Sequence, residues 1–135
     1  MTATRMLPRL DAVNRDFWTG GEQGELRIMQ CRDCEGYVHP PRPVCNHCLS
    51  DNVAPTVVSG RGTVATYTVN HQPWMPGMEV PFIYARVALD DVPGVFLSTN
   101  IIGCPVDEVR IGDAVRVSFL QQEDVWIPLF EKVSA

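Results

Sequence analysis

The sequence contains no long hydrophobic run. No apolar stretch approaches the roughly 18 residues that a membrane-spanning helix needs, so we expect no transmembrane segment. Near the start of the chain, Arg5, Pro8, Arg9 and Asp11 interrupt the apolar residues, which excludes the composition of a secretory signal peptide. We therefore expect a cytoplasmic protein.

Basic residues are also scarce. The formal net charge is −5 at pH 7, and Lys132 is the only lysine among 11 basic residues. Proteins that bind the phosphate backbone of nucleic acids usually carry a basic surface. The charge therefore argues against a nucleic-acid partner.

The familiar catalytic motifs are missing as well. The chain contains no GxSxG, HExxH, P-loop or GxGxxG pattern. Two acidic pairs, Asp90–Asp91 and Asp107–Glu108, lie in predicted turns, where acidic residues are common. His71 ends a predicted strand, and because it is a lone histidine, a structural or ligand-contacting role is favoured over general-base catalysis. The sequence therefore predicts no catalytic residue.

What the chain does contain is a dense run of cysteines. Four of its five cysteines form two CxxC pairs separated by ten residues: Cys31, Cys34, Cys45 and Cys48. Because two thiolates on a tight turn can face one ion, the two pairs can supply a tetrahedral shell of four sulfurs. Such a shell suits zinc, with iron as the alternative. Four cysteines close the shell, so the zinc is predicted to be structural rather than catalytic.

Three further residues bear on this prediction. His39 and His47 lie inside the cysteine run and are alternative ligands, although four cysteines at this spacing make neither necessary. Cys104 follows an apolar strand and has no histidine nearby in sequence, so we expect a buried or half-buried, unreactive thiol there.

A helix is predicted over residues 8–19. Its apolar residues recur every three to four positions, Pro8 suits a first turn, and Gly20–Gly21 end it. Phe17 and Trp18 would either pack on the chain itself or anchor the helix on a partner.

The rest of the chain is predicted to be mainly β. Residues 25–30 alternate as a short strand does, and residues 49–56 have the composition of a linker. From Val57 onward, five strands rich in β-branched residues suggest a small closed or nearly closed barrel such as an OB-fold. Gly60 and Gly62 suggest a bulge in the first of these strands.

The connection after the first barrel strand is rich in apolar residues. Residues 72–82 hold three prolines together with Trp74, Met75, Met78 and Phe82. Apolar side chains on such a loop either cap the mouth of the barrel or line a groove for an apolar ligand or a partner protein.

The order of these elements resembles a known family. The matching residues are Phe17–Trp18, Gly24–Glu25–Leu26, Cys31, Cys34, Pro40–Pro41–Arg42, Cys45, Cys48, Gly62–Thr63–Val64 and Tyr67–Thr68. This pattern is similar to that of the zinc-ribbon/OB-fold accessory proteins associated with acyl-CoA metabolism, long catalogued as a domain of unknown function. Two positions depart from the family pattern: Glu35 delays the glycine after the first CxxC, and Asn46 replaces the usual proline in the second.

The resemblance implies a helical segment at 1–24, a rubredoxin-like zinc ribbon at 25–55 and an OB-fold at 56–135. It also implies a non-catalytic subunit that binds acyl-CoA and completes or stabilises a thiolase-like enzyme, such as a thiolase or a steroid side-chain aldolase. A MaoC-like hydratase is the alternative partner. Passing a CoA thioester between enzymes is the alternative role. The expected assembly is a hetero-oligomer.

On this hypothesis, the ligand or partner contacts are His71, the apolar residues of 72–82 and three arginines. Arg42, Arg61 and Arg86 are the candidates for contact with CoA phosphates. Two alternatives stay open. One is a module for single-stranded nucleic acid, in which Tyr67, Phe82 and Tyr84 would stack on bases. The other is a stand-alone acyl-CoA thioesterase or hydratase that requires His71.

Overall fold

The computed structural model describes residues 5–133. Within this range the chain forms one short α-helix and eight strands, and the prediction of a mainly β protein is confirmed. The elements are α1 (Arg15–Thr19), β1 (Leu26–Cys31), β2 (Tyr37–Val38), β3 (Val53–Val58), β4 (Arg61–Asn70), β5 (Phe82–Leu89), β6 (Phe96–Ile102), β7 (Ala114–Gln122) and β8 (Val125–Lys132). Two 3₁₀ turns span Gly20–Gln23 and Val106–Glu108.

The C-terminal half is a closed five-stranded barrel with the strand order β4-β5-β6-β8-β7. All pairings are antiparallel except β6 with β8, where Ile101 and Ile102 pair in parallel with Phe130 and Glu131. This arrangement confirms the predicted OB-fold. Strand β4 contains an irregularity, as predicted, but it lies between Val64 and Thr66 rather than at Gly60 and Gly62.

The N-terminal half forms a three-stranded antiparallel sheet with the order β2-β1-β3. Residues 53–56 belong to β3, so the prediction of a linker over 49–56 is wrong for this part. Pro55, which suggested a linker, lies opposite Met29 of β1. Among the described strands β3 pairs only with β1, and an edge strand tolerates a residue that lacks an N–H donor.

Strand β1 connects the two halves because both of its faces are buried. On one face, Leu26 and Ile28 belong to the main hydrophobic core, which continues into the barrel through residues such as Val87. On the other face, Met29 and Cys31 belong to a smaller cluster around the cysteines. Successive residues of a strand point to opposite faces, so a single strand separates the cysteine cluster from the barrel core.

The predicted helix over 8–19 is wrong in its first half, because α1 begins only at Arg15. The Asp11 carboxylate accepts the backbone N–H groups of Val13 and Asn14, both at 2.8 Å. The Asn14 side-chain oxygen accepts the N–H of Asp11 at 2.8 Å. Such local side-chain bonds hold the backbone in a turn that competes with a helix. Residues 1–4 of the predicted N-terminal segment lie outside the described residues, and no helix in the described range is long and apolar enough to cross a membrane.

The N-terminal segment is packed closely on the barrel at Gly21. A Cβ atom added there would lie 2.5 Å from the Cβ of Trp126 and 2.6 Å from the Phe119 ring. A side chain at this position would therefore push the segment away from β7 and β8.

Candidate metal centre and ligand groove

The four cysteines of the two CxxC pairs converge at one point. Their sulfur atoms all lie within 4.8 Å of one another. The Cys31–Cys48 and Cys34–Cys45 pairs are each separated by 3.6 Å between Sγ atoms. Tetrahedral zinc with Zn–S bonds of about 2.3 Å requires sulfurs roughly 3.8 Å apart. The four cysteines are therefore positioned to bind a metal ion, and their spacing fits zinc.

Backbone N–H groups in each CxxC turn point at these sulfurs. The N–H of Cys34 lies 3.4 Å from the sulfur of Cys31, and the N–H of Gly36 lies 3.4 Å from the sulfur of Cys34. In the second turn the N–H of His47 lies 3.3 Å from the sulfur of Cys45. These donors favour the thiolate form that binds metal, and the N–H of Cys34 lowers the pKa of Cys31.

A polar network holds the two CxxC turns together. The Asp33 carboxylate, in the first turn, accepts the Ser50 hydroxyl and the Asn52 side-chain amide that follow the second turn. The hydrogen bond from Ser50 is the main cause of a lowered pKa of Asp33. The backbone N–H of Cys45 donates to the carbonyl of Ser50 at 2.8 Å. The geometry of the sulfur shell is thus set by bonds outside it as well as by the cysteines.

The two alternative ligands face elsewhere. The Nε2 atom of His47 lies 3.1 Å from the carbonyl of Tyr37, and the ring of His39 packs on Phe17 with centroids 5.0 Å apart. Burial lowers the pKa of His39 to about 4, so this imidazole is neutral near pH 7. Among the described residues, the group able to hold a metal consists of the four cysteines. Cys104 is half-buried, and burial raises the pKa of its thiol.

A groove of about 760 Å³ runs between the N-terminal segment and the outer face of β5, β6 and β8. Its walls are mainly apolar and include Phe17, Trp18, Pro40, Phe82, Tyr84 and Phe96. This volume lies in the range of small-molecule sites, which are typically apolar clefts with a few polar groups.

Polar groups fasten one side of this groove. The Arg5 guanidinium donates to the side-chain oxygen of Asn100 at 2.8 Å, and the Asn100 amide donates to the carbonyl of Ile83 at 2.9 Å. The side chain of Gln122 accepts the N–H of Arg5 at 3.0 Å and donates to its carbonyl at 2.8 Å. The N-terminal segment is therefore bonded to β6 and β7 and forms a fixed wall of the groove.

The predicted contact residues are distributed over several places. Phe82 lines the groove, whereas Trp74 and Met75 are exposed on the connection between β4 and β5. The indole N–H of Trp74 donates to the side-chain oxygen of Asn70 at 2.8 Å. His71 is also exposed there, and Met78 is half-buried.

Phe17 and Trp18 belong largely to the chain's own packing. Phe17 is 7% exposed in the main core, and Trp18 packs against this core while lining the groove. Phe17 therefore packs on the chain itself rather than on a partner. Docking of the helix on a partner through Trp18 stays a prediction.

The three arginines lie on three different elements. The guanidinium carbon of Arg86 on β5 lies 4.6 Å from the ring centroid of Phe96, so Arg86 adjoins the groove. Arg42 lines a smaller cavity of about 260 Å³ beside His39. Arg61 lies opposite Arg116 where β4 pairs with β7. A role of these residues in phosphate contact stays a prediction.

Sequence reasoning missed several residues of the groove, above all Arg5, Phe96 and Asn100. The burial of β6 alternates, with Leu97, Thr99 and Ile101 inward and Phe96, Ser98 and Asn100 outward. The aromatic residue and the two polar residues on the outward face of β6 could have indicated a binding surface. No sequence feature could have indicated Arg5, because its partners lie 95 and 117 positions away.

Fold and metal centre together define a zinc-ribbon protein with a C-terminal OB-fold. Comparison with family models gives the same division. Residues 18–54 match the rubredoxin-like zinc ribbon domain of ChsH2, and residues 56–120 match the C-terminal OB-fold domain of ChsH2. A solved structure described as Ltp2-ChsH2(DUF35) aldolase matches 93% of this chain and 98% of its own, with a TM-score of 0.83 and 31% identity. The chain belongs to the ChsH2 (DUF35) family.

Two curated relatives are longer proteins. A probable enoyl-CoA hydratase alpha subunit of Thermomonospora curvata is 36% identical over 123 residues, which is 88% of this chain and 38% of that protein. A 3-oxo-4,17-pregnadiene-20-carboxyl-CoA hydratase alpha subunit of Mycobacterium tuberculosis is 37% identical over 108 residues, which is 80% of this chain and 34% of that protein. The chain thus spans only about a third of the length of these two relatives.

Proposed function

We propose that this protein is a non-catalytic accessory subunit of a thiolase-like enzyme, such as a thiolase or a steroid side-chain aldolase. The observation that carries the proposal is the structural likeness over nearly the whole chain to a protein solved as part of an Ltp2-ChsH2(DUF35) aldolase. The names of the two hydratase relatives also place their sequences in enzymes of acyl-CoA metabolism.

The metal centre supports a structural role rather than a catalytic one. A catalytic zinc keeps a position open for water or substrate, whereas four thiolates fill a tetrahedral shell. The cysteine cluster also lies on the face of β1 that points away from the main core. His71, the candidate general base, is exposed on a connection between strands and does not line the groove. On this proposal the partner enzyme carries the chemistry.

The groove supports binding of an acyl-CoA. Pantetheine and an acyl chain need a narrow apolar passage with a few amide-binding groups, and the groove combines aromatic walls with the exposed side chain of Ser98. Arg5 lies in the groove and Arg86 stands beside Phe96, so two cations and one carboxylate, that of Asp11, lie at the groove although the whole chain carries a net charge of −5. The two arginines are suited to the phosphates of the nucleotide.

Co-expression with a thiolase-like enzyme encoded beside this protein is expected to give a stable complex on size-exclusion chromatography. We expect the exposed connection between β4 and β5 to contact the partner, because Trp74 is 72% exposed and an exposed aromatic residue is a frequent binding anchor. Trp74→Ala should weaken the complex about tenfold or more.

The matched control is Leu49→Ala, because Leu49 is equally exposed, at 78%, but lies in the ribbon. This substitution should leave the affinity for the partner within about twofold. Separate elution of the two wild-type proteins at micromolar concentration would count against the proposed assembly.

Binding of single-stranded nucleic acid is the second candidate, and one observation favours it. Tyr84 and Phe96 are exposed on β5 and β6, the strands whose face binds oligonucleotides in OB-folds, and Arg86 lies beside them. The acidic net charge opposes it. A gel shift with a labelled oligonucleotide that weakens steeply with salt, and is lost in Tyr84→Ala, would establish this function instead.

A further inference from the structure

The groove and a second cavity share one wall. The second cavity, of about 520 Å³, lies between the ends of β5 and β6 and the strands β7 and β8. Most of its lining is apolar and includes Ile83, Ile101, Val106, Phe119 and Leu120. Two residues line both cavities: Phe82, the first residue of β5, and Leu129 of β8.

Phe82 is the more adjustable of the two shared residues. Leu129 is buried at 2% exposure, whereas Phe82 is half-buried at the end of its strand. Phe82 pairs with Asn70 of β4, while the ladder with β6 begins one residue later, at Ile83 and Ile101. The Phe82 side chain can therefore be replaced by a smaller one without changing a residue of the main core.

We infer that Phe82 is a partition that ends the groove and sets the length of the acyl chain that the protein admits. The inference rests on the acyl-CoA binding in the proposed function. An acyl chain lying in the groove would meet the Phe82 ring, and a longer chain would have to enter the second cavity past it. The residue therefore determines specificity for the ligand.

The charges at the two ends give the ligand one orientation. Arg5 and Asp11 line the groove and Arg86 stands beside it, whereas Glu79 and Glu131 line the second cavity, so the groove has the more positive balance of charge. Phosphates are attracted to the first end and repelled from the second. The nucleotide of a CoA thioester would therefore lie on the groove side, with the acyl chain directed towards Phe82.

Calorimetric titration of the full, zinc-loaded chain with butanoyl-CoA and dodecanoyl-CoA tests the partition. The wild-type protein is expected to bind butanoyl-CoA more tightly. Phe82→Ala should leave the affinity for butanoyl-CoA within about twofold and raise the affinity for dodecanoyl-CoA at least about tenfold, which burial of two further methylene groups would supply.

Phe96→Ala is the matched control, because Phe96 lines the groove but not the second cavity. It should weaken both thioesters alike and leave their ratio unchanged. If thermal unfolding shows that Phe82→Ala does not fold, Phe82→Leu is used instead. Its affinity for dodecanoyl-CoA should exceed that of the wild-type protein about threefold. If the folded Phe82 variant has the same ratio of affinities for the two thioesters as the wild-type protein, Phe82 is not the partition, although acyl-CoA binding is still supported. A wild-type protein that binds neither thioester overturns both.

Discussion

Replacing Cys45 with serine is expected to abolish metal binding and unfold the ribbon. Cys45 is fully buried, in a cluster with Met29, Cys31 and Val38 that is too small to hold the strands β1 and β2 together alone. Binding of zinc by thiolates contributes on the order of 10 kcal/mol to the folding of such segments. Loss of one ligand removes most of this contribution and leaves three sulfurs without their closed shell.

Metal content by elemental analysis and thermal unfolding by circular dichroism check this prediction. The wild-type protein should hold one zinc ion per chain, and Cys45→Ser should hold almost none and lose its cooperative transition. Cys104→Ser is the control, because Cys104 lies outside the cluster and should leave zinc content and stability nearly unchanged. A Cys45→Ser protein with wild-type stability would show that the metal is not a folding element.

The second large effect is expected for Ile28→Ala, which should destabilise the whole protein by about 2–5 kcal/mol. Ile28 is fully buried in the main core, on the face of β1 that packs on the barrel. The substitution leaves a cavity between ribbon and barrel that neither half can fill alone. Because both halves share this core, the unfolding transition should stay single and move to a lower urea concentration.

Urea unfolding followed by tryptophan fluorescence and by far-ultraviolet circular dichroism measures the effect. Val57→Ala is the matched control, since Val57 lies on the neighbouring strand β3 and is 55% exposed. It should change stability by less than about 0.5 kcal/mol. Two separate transitions in the wild-type protein, with Ile28→Ala affecting only one of them, would contradict a shared core.

The metal centre and the barrel could be predicted because their signals are local. Two CxxC pairs bring their own sulfurs together through tight turns, and the spacing alone defines the shell. The barrel strands alternate with a period of two, so β5 is visible from Ile83, Ala85, Val87 and Leu89, and β7 from Val115, Val117 and Phe119. In both cases residues close in sequence carry the information.

The groove could not be predicted, because it depends on contacts between distant segments. Its wall is fixed by hydrogen bonds from Arg5 to Asn100 and Gln122, and no property of these residues in the sequence pairs them. The late start of α1 was missed for a related reason. Asp11 and Asn14 fit a helical pattern, but their side chains bond to the backbone of a turn. In the same way, Pro55 suggested a linker, whereas its place on an edge strand was set by pairing with β1.

The metal centre and the proposed ligand site are therefore separate parts of the protein. The cysteine run resembles an active site in its density of reactive groups. Its four sulfurs, however, form one closed metal-binding shell that is expected to stabilise the ribbon. The surfaces proposed to act on other molecules are the groove with Phe82 and the exposed connection with Trp74.

The most direct test of the accessory role is the turnover of the thiolase-like partner, measured while this protein is added in increasing amounts. The account predicts that the rate rises with added protein and levels off once the partner is saturated. It also predicts that the protein alone turns over no acyl-CoA, and that Cys45→Ser gives no activation. A partner that is fully active by itself and unaffected by this protein would contradict the account.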